Sequence, residues 1–214
     1  MAFLEKTDNI KATDATIKST IPTGIDLLDA IMGGGAGTAL CQIVGMPGAG
    51  KSALAARILA TGQRKWPGKF IGMYIDTEQS MTEDRLAQLG VNYPTIRPIT
   101  EGVTIETVFR IVERLCAMKS ENKELLDYPS LIIWDSIANT SSEKALNVDD
   151  YNKVMGQKAA LLSFFLPKYV DKLNQNNISL VAINQLRDNL DIGGFTFQEP
   201  TLKFLDKNIP GGKS

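Results

Sequence analysis

A glycine-rich segment ending in lysine and serine constrains this chain more than any other feature of its sequence. Residues 45–52 read GMPGAGKS and match GxxxxGK(S/T), the pattern of loops that bind nucleotide phosphates. An apolar segment at 39–45 precedes this loop, and an alanine- and leucine-rich segment at 53–66 follows it. Because the pattern requires a strand before the loop and a helix after it, the sequence predicts an α/β fold with a nucleoside triphosphate site.

Each residue type in this loop has a physical role in binding a phosphate chain. The glycines allow backbone N–H groups to approach the β-phosphate, because no side chain blocks them. Lys51 supplies a positive charge to the β- and γ-phosphates, and the Ser52 hydroxyl is placed to bind Mg²⁺. The helix predicted to begin at Ser52 points the positive end of its dipole at the same anion. The predicted nucleotide-binding residues of the loop are Gly45, Met46, Pro47, Gly48, Ala49, Gly50, Lys51 and Ser52.

Composition and charge narrow the classes of partner. The chain has 214 residues, 43% of them hydrophobic, which is enough for one buried domain with or without a short arm. A formal net charge of −1 and a pI near 5.6 argue against broad electrostatic adhesion to nucleic acid or to a membrane. Any contact with DNA is therefore expected to come from local loops.

Other features of the sequence bear on location and chemistry. No apolar stretch approaches the roughly 20 residues of a transmembrane helix, and the first residues lack a signal peptide's apolar core, so we expect a cytoplasmic protein with no membrane partner. Cys41 and Cys116 lie in apolar segments, which favours buried free thiols over a disulfide or a metal pair. The chain has no histidine, which excludes a zinc enzyme or a Ser/His triad and leaves acid–base chemistry to carboxylates and bound Mg²⁺.

The alternation of helical and apolar segments predicts a parallel sheet with crossover helices. The polar composition of residues 1–20 predicts an arm for oligomerisation, whereas the pattern over 21–214 predicts one core domain. One helix is predicted from an apolar face that recurs over 105–116, and another at about 155–174, where Pro167 should produce a kink. A long loop is predicted from residue 186 onward. The predicted strands span 39–44, 70–75, 95–99, 131–134 and 178–183.

Polar residues follow three of the predicted strands, and the carboxyl ends of parallel strands meet at one edge of a sheet. Asp135 is therefore predicted to reach Mg²⁺ through water, beside the phosphate loop. Asp76 and Glu78 follow another strand, and we assign to Glu78 the task of orienting the water that attacks the γ-phosphate, with a capping or solvated acid as the alternative. Gln185 is predicted to contact the γ-phosphate and to signal to the following loop that this phosphate is bound. The alternative is a simple turn residue.

Taken in order, these segments resemble the ATPase core of the bacterial RecA recombinases, and the phage UvsX recombinases look similar. The resemblance spans about residues 19–214 and implies a RecA-like P-loop NTPase fold, with a mostly parallel central sheet flanked by helices and with ATP and Mg²⁺ as cofactors. The segments that carry it are STIPTGIDLLDAIMGGG at 19–35, the phosphate loop, YIDTEQ at 74–79, LIIWDS at 131–136, and INQLR at 183–187 before a loop that closes on PGG at 210–212.

The resemblance also implies a role for each of the candidate site residues. Lys51 and Ser52 would contact the phosphates and Mg²⁺, Glu78 would activate water, Asp135 would be the Walker B acid, and Gln185 would sense the γ-phosphate. The implied activity is DNA-dependent ATP hydrolysis by a recombinase, of phage or bacterial origin, that self-associates as a helical filament or ring on single-stranded DNA.

The nucleotide base and the DNA are expected to meet residues outside the phosphate loop. Arg85 stands where the family carries a tyrosine that stacks on adenine, and its guanidinium plane can also stack. The resemblance further implies two DNA-facing loops, near 143–157 and 186–212. The net charge over 186–214 is zero, so specific contacts rather than bulk charge are expected to provide affinity. The predicted DNA contacts are Arg187, Phe195, Phe197, Lys203 and Lys207, with packing on the core or at a subunit boundary as the alternative for the two phenylalanines.

The sequence ends in GGKS, where family sequences continue, so the resemblance implies a form that is truncated or split after the second DNA-binding loop. Two other functions fit the nucleotide motifs. One is a RecA-like ATPase of another branch, such as a replicative helicase or a clock-type ATPase that forms a closed hexameric ring. The other is a nucleotide-binding interaction module that does not hydrolyse ATP. The INQLR segment and the long terminal loop favour the recombinase.

Overall fold

The computed structural model describes residues 19–96, 98–144 and 151–185, with side chains for all of these except 151–157. Over these residues strands and helices alternate, which confirms the predicted α/β class. In chain order the elements are β1 (Thr20–Ile21), α1 (Asp26–Ile31), β2 (Ala36–Gly37), β3 (Ala39–Gly45), α2 (Lys51–Lys65), β4 (Ile71–Asp76), α3 (Glu83–Gln88), a 3₁₀ turn (Tyr93–Thr95), β5 (Pro98–Ile99), α4 (Ile105–Glu121), α5 (Lys123–Leu126), β6 (Ser130–Asp135), α6 (Tyr151–Gln175) and β7 (Ile178–Gln185).

The main sheet of the described residues has five parallel strands in the order β3-β7-β6-β4-β5. Because the strands are parallel, their carboxyl ends share one edge, where Gly45 pairs with Gln185 and Asp76 pairs with Asp135. All six residues of the central strand β6 are buried. The strands β1 and β2 form a separate antiparallel pair. The register thus places the phosphate loop and the predicted catalytic acids at the same edge.

Helices pack on both faces of this sheet because successive strand side chains point to opposite sides. On β6, Ile132 and Trp134 pack in a cluster with α4 and α6, whereas Leu131 and Ile133 pack in a cluster with α2. The apolar face predicted for α4 is confirmed, since all six of its residues are buried. These residues are Ile105, Val108, Phe109, Val112, Leu115 and Cys116.

The prediction of a strand over 95–99 was wrong for most of its length. The chain forms a 3₁₀ turn over Tyr93–Thr95, and β5 has only the two residues Pro98–Ile99. Proline has no backbone N–H to donate to a strand ladder, and Pro94 and Pro98 both lie in this stretch.

Smaller differences concern the ends of helices and one cysteine. Helix α2 begins at Lys51, one residue before the predicted start. Cys116 is a buried free thiol as predicted, but Cys41 is only half-buried, because β3 has a neighbouring strand on one side only within the described residues. Burial raises the pKa of both thiols. Pro167 lies inside α6, and the kink there stays a prediction.

Two predicted segments lie outside the described residues. These are residues 1–18 of the predicted arm and the terminal loop from 186 onward. Among the helices of the part of the chain that is described, none combines the length and the apolar character needed to cross a membrane.

Candidate nucleotide site

The phosphate loop joins β3 to α2, as its pattern predicts. Gly48 and Gly50 have φ angles of 76° and 83°, in the left-handed region that favours glycine. A Cβ added at either residue would meet no protein atom within 4 Å, so packing does not require glycine there. The two glycines are therefore needed for the backbone turn and leave open space for a group that approaches the backbone. This arrangement fits a phosphate cradle.

Lys51 and the start of helix α2 complete the loop. The Lys51 ammonium donates a hydrogen bond to the carbonyl oxygen of Met46 at 2.8 Å, which folds the lysine back over the loop. Helix α2 has 15 residues, and its N-cap is Gly50, so no side chain caps its first N–H groups. These uncapped N–H groups and the helix dipole favour an anion at this end of α2.

Asp135 ends β6 and is 1% exposed. Its Oδ2 accepts a hydrogen bond from the Tyr74 hydroxyl at 2.8 Å. Burial raises the pKa of the Asp135 carboxyl, and the negative charges of Glu78 and Asp76 act in the same direction, while hydrogen bonding by the Ser52 and Tyr74 hydroxyls opposes the rise. A cation bound beside this carboxylate would favour its charged form.

The oxygen atoms at this edge fit Mg²⁺ in their chemistry. Ser52 offers a hydroxyl and Asp135 a carboxylate, and Mg²⁺ prefers oxygen ligands. Within the described residues no group of three or more His, Cys, Asp or Glu side chains is arranged to hold a metal. A Mg²⁺ ion here would therefore take further ligands from phosphates and water, which is its usual mode of binding beside nucleotides.

Glu78 lies at the meeting point of three strand ends. Its Oε1 accepts hydrogen bonds from the Ser136 hydroxyl at 2.7 Å and from the Gln185 side-chain amide at 2.9 Å. The structure thus brings together the predicted base, the predicted γ-phosphate sensor and the residue after the predicted metal ligand. Two neutral donors hold the carboxylate in one orientation.

Asp76 has a different role from Glu78, although both carboxylates follow the same strand. Its Oδ1 accepts from the backbone N–H of Glu78 at 3.1 Å, and its Oδ2 accepts from that of Met81 at 2.9 Å. Both oxygens are therefore used to shape the turn after β4. This turn sets the position of Glu78, which agrees with the choice of Glu78 over Asp76 as the candidate base.

Three residues of this site were missed by sequence reasoning. Tyr74 lies within an apolar strand, and Ser136 directly follows the predicted metal ligand Asp135. The Thr77 hydroxyl donates to the carbonyl oxygen of Asp135 at 3.1 Å and accepts from the Ser136 N–H at 3.0 Å, which ties the ends of β4 and β6 together. Their only sequence signal is that each is a hydroxyl residue within two positions of a candidate acid.

The structure does not join Arg85 to this network. Arg85 is exposed on α3, and its guanidinium contacts Gln88 at 3.4 Å. Of the predicted first DNA loop, Glu143 pairs with Arg110 on α4, and residues 151–157 form the start of helix α6 rather than a loop. The predicted DNA contacts lie outside the described residues; these are Arg187, Phe195, Phe197, Lys203 and Lys207.

Comparison with known proteins places the chain in a family. The sequence profile of the RecA N-terminal domain matches residues 6–204. The chain is 27% identical to Protein RecA of Aquifex pyrophilus over 207 residues, which covers 96% of this chain and 53% of the relative. It is 28% identical to Protein RecA of Mycoplasma mobile over 175 residues, covering 82% and 46% of the two chains. For Protein RecA of Pseudarthrobacter chlorophenolicus the identity is 29% over 174 residues, covering 80% and 46%.

The chain thus spans about half the length of the curated relatives that it matches. The profile, in contrast, covers most of the present chain, with the phosphate loop, Glu78, Asp135 and Gln185 all inside the matched range. The chain belongs to the RecA N-terminal domain family.

Proposed function

We propose that this chain is the ATP-hydrolysing core of a cytoplasmic recombinase that binds single-stranded DNA and promotes homologous pairing in recombination and repair. The observation that carries the proposal is the hydrogen bond of 2.9 Å between Gln185 and Glu78. It joins the candidate base for ATP hydrolysis to the strand that leads into the candidate DNA loop. Membership of the RecA N-terminal domain family supports the same function.

The residues at the carboxyl edge of the sheet divide the work of binding and hydrolysing ATP. The loop backbone and Lys51 would hold the β- and γ-phosphates, and Ser52 and Asp135 would hold Mg²⁺, which would supply positive charge to the phosphates. Glu78 orients a water molecule toward the γ-phosphate, a positioning task that suits a carboxylate fixed by two donors. Arg85 stacks on the nucleotide base through its guanidinium plane.

The DNA and the neighbouring subunits meet other parts of the chain. Residues 1–20 form an arm that serves self-association into a filament or ring, and residues 21–214 form the ATPase core. Single-stranded DNA contacts the segments near 143–157 and 186–212. In the second segment Arg187 meets phosphate, and Phe195 or Phe197 provides a stacking surface. Lys203 and Lys207 add contacts to the DNA backbone.

ATP hydrolysis measured with and without single-stranded DNA tests this proposal. We expect Mg²⁺-dependent hydrolysis that DNA stimulates, together with pairing of homologous strands. Hydrolysis accompanied by directional unwinding, without pairing, would instead indicate a helicase of the same fold. Nucleotide binding without any hydrolysis would indicate an interaction module.

Removal of the Gln185 side-chain amide should separate ATP binding from DNA binding. We expect Gln185→Ala to keep ATP affinity within a few fold and to lose the ATP-dependent gain in DNA affinity, because the amide that reports the γ-phosphate is absent. We expect this variant to lose a coupling free energy of about 1–3 kcal/mol between the ATP and DNA sites. DNA affinity is measured by fluorescence anisotropy of a labelled oligonucleotide, with and without an ATP analogue.

Gln63→Ala is the matched control for this experiment. The Gln63 amide also bridges two elements, since it donates to the carbonyl oxygen of Asn92 at 3.1 Å and to the Thr95 hydroxyl at 2.8 Å, away from the nucleotide site. We expect this control to keep the ATP effect on DNA affinity. An ATP effect that survives in Gln185→Ala would remove the sensor role.

A further inference from the structure

Tyr74 places a hydroxyl group beside the candidate metal ligand from inside the core. The residue lies on β4 and is fully buried, and its ring belongs to the cluster that packs against α2. Its hydroxyl donates to Asp135 Oδ2 at 2.8 Å across the paired strands β4 and β6. The tyrosine therefore connects a rigid part of the core to one oxygen of the Asp135 carboxylate.

The geometry fixes how this carboxylate can turn. Asp135 is 1% exposed, so water does not compete for Oδ2, and a buried carboxylate oxygen requires a donor. The position of a phenol hydroxyl depends on only two side-chain torsions, and here the packing of the ring restricts both. With Oδ2 held by Tyr74, the rotation of the carboxylate is set by the core.

Charge makes the same bond directional. An ionised carboxylate oxygen can only accept a hydrogen bond, so the Tyr74 hydroxyl is the donor in this pair. A neutral donor restrains the carboxylate while leaving its negative charge for a cation.

We propose that Tyr74 is a positioning residue that holds the Asp135 carboxylate in the orientation that binds Mg²⁺ with the nucleotide. This inference rests on the proposed function, because it concerns the metal of that site. Hydrogen-bond partners of metal-binding carboxylates commonly change metal affinity by about 10- to 100-fold when they are removed.

The test uses Tyr74→Phe, which removes the hydroxyl and keeps the ring. Binding of a fluorescent ATP analogue is titrated with MgCl₂, and we expect the half-saturating Mg²⁺ concentration to rise about 10-fold. Binding of the same analogue in EDTA should stay within about twofold of the wild type, because the hydroxyl proton of Tyr74 is donated to Asp135. A purely structural role for the hydroxyl would instead weaken binding of the analogue in EDTA as well as in Mg²⁺.

Tyr169→Phe is a matched control, since it removes the same group from a second tyrosine–carboxylate pair. Tyr169 is 2% exposed, and its hydroxyl donates to Glu113 Oε1, between α6 and α4. We expect this variant to titrate with Mg²⁺ as the wild type does. Equal shifts in the two variants would overturn the inference, because they would indicate a general loss of stability.

A double-mutant cycle with Asp135→Asn tests whether Tyr74 acts through the carboxylate. In that background Tyr74→Phe should change the half-saturating Mg²⁺ concentration by less than about twofold. A full additional shift there, or wild-type Mg²⁺ behaviour of Tyr74→Phe alone, would overturn the positioning role while leaving the proposed function intact. A wild-type chain that binds no nucleotide would overturn both. If Tyr74→Phe does not fold, Tyr74→Met replaces it, and failure of both variants to fold would assign Tyr74 to the core alone.

Discussion

Glu78→Gln is expected to leave ATP bound while it slows hydrolysis by about 10²-fold or more. The side chain keeps its size, and glutamine still accepts from the Ser136 hydroxyl and the Gln185 amide that contact Glu78 Oε1 at 2.7 and 2.9 Å. What it loses is the negative charge that orients and deprotonates water, and a positioned general base contributes about 10²- to 10⁴-fold. Single-turnover hydrolysis of bound ATP measures this step apart from binding.

Lys51→Ala provides the contrast, because Lys51 acts on a different part of the reaction. Its ammonium lies over the phosphate loop, where it donates to the carbonyl oxygen of Met46 at 2.8 Å. We expect its loss to abolish measurable triphosphate affinity. Glu83→Gln, an exposed change in the first turn of α3, should alter neither binding nor hydrolysis. Equal loss of ATP binding in Lys51→Ala and Glu78→Gln would contradict the role given to Glu78.

Much of this site could be predicted because its residues belong to short local patterns. The phosphate loop needs a strand, glycines and a helix in direct succession, and all of these lie between residues 39 and 65. Asp135 could be placed because parallel strands end at one edge. Neither inference depends on the details of packing between distant segments.

The contacts that the acids make with neighbouring side chains could not be predicted, because these contacts depend on strand register and on side-chain rotation. Whether Glu78 meets Ser136 follows from the pairing of Asp76 with Asp135, which no local pattern encodes. Tyr74 looks like an ordinary aromatic residue of a buried strand until the alternation of β4 directs its hydroxyl to Asp135. The two prolines that shorten β5 are visible in the sequence, but the apolar residues around them favour a strand.

The second large effect is expected from a substitution in the core on the α4 side of the sheet. Phe109 is 2% exposed and lies between three aromatic rings. It stacks on Phe165 and Tyr169 at centroid distances of 4.6 and 4.9 Å, and it meets Trp134 edge-on at 6.1 Å. Trp134 immediately precedes Asp135, so this cluster supports the strand that presents the candidate metal ligand.

Phe109→Ala should destabilise the chain by about 3–5 kcal/mol, because it removes a buried ring and leaves a cavity between α4 and α6. The lost aromatic pairs add to the loss of buried area. Since domains are stable by only about 5–15 kcal/mol, this variant should unfold at a much lower urea concentration. Unfolding is measured in EDTA without nucleotide, so that ligand binding does not contribute.

Phe164→Ala removes the same side chain from the same region and isolates the effect of burial. Phe164 is 66% exposed on α6 and contacts Phe165 at its edge. Its loss should change the free energy of unfolding by only about 0.5 kcal/mol. A similar fall in both variants would show that the Phe109 cluster is not the centre of the core. If Phe109→Ala alone unfolds early, the same packing that closes this face of the sheet also fixes the strand that ends at Asp135.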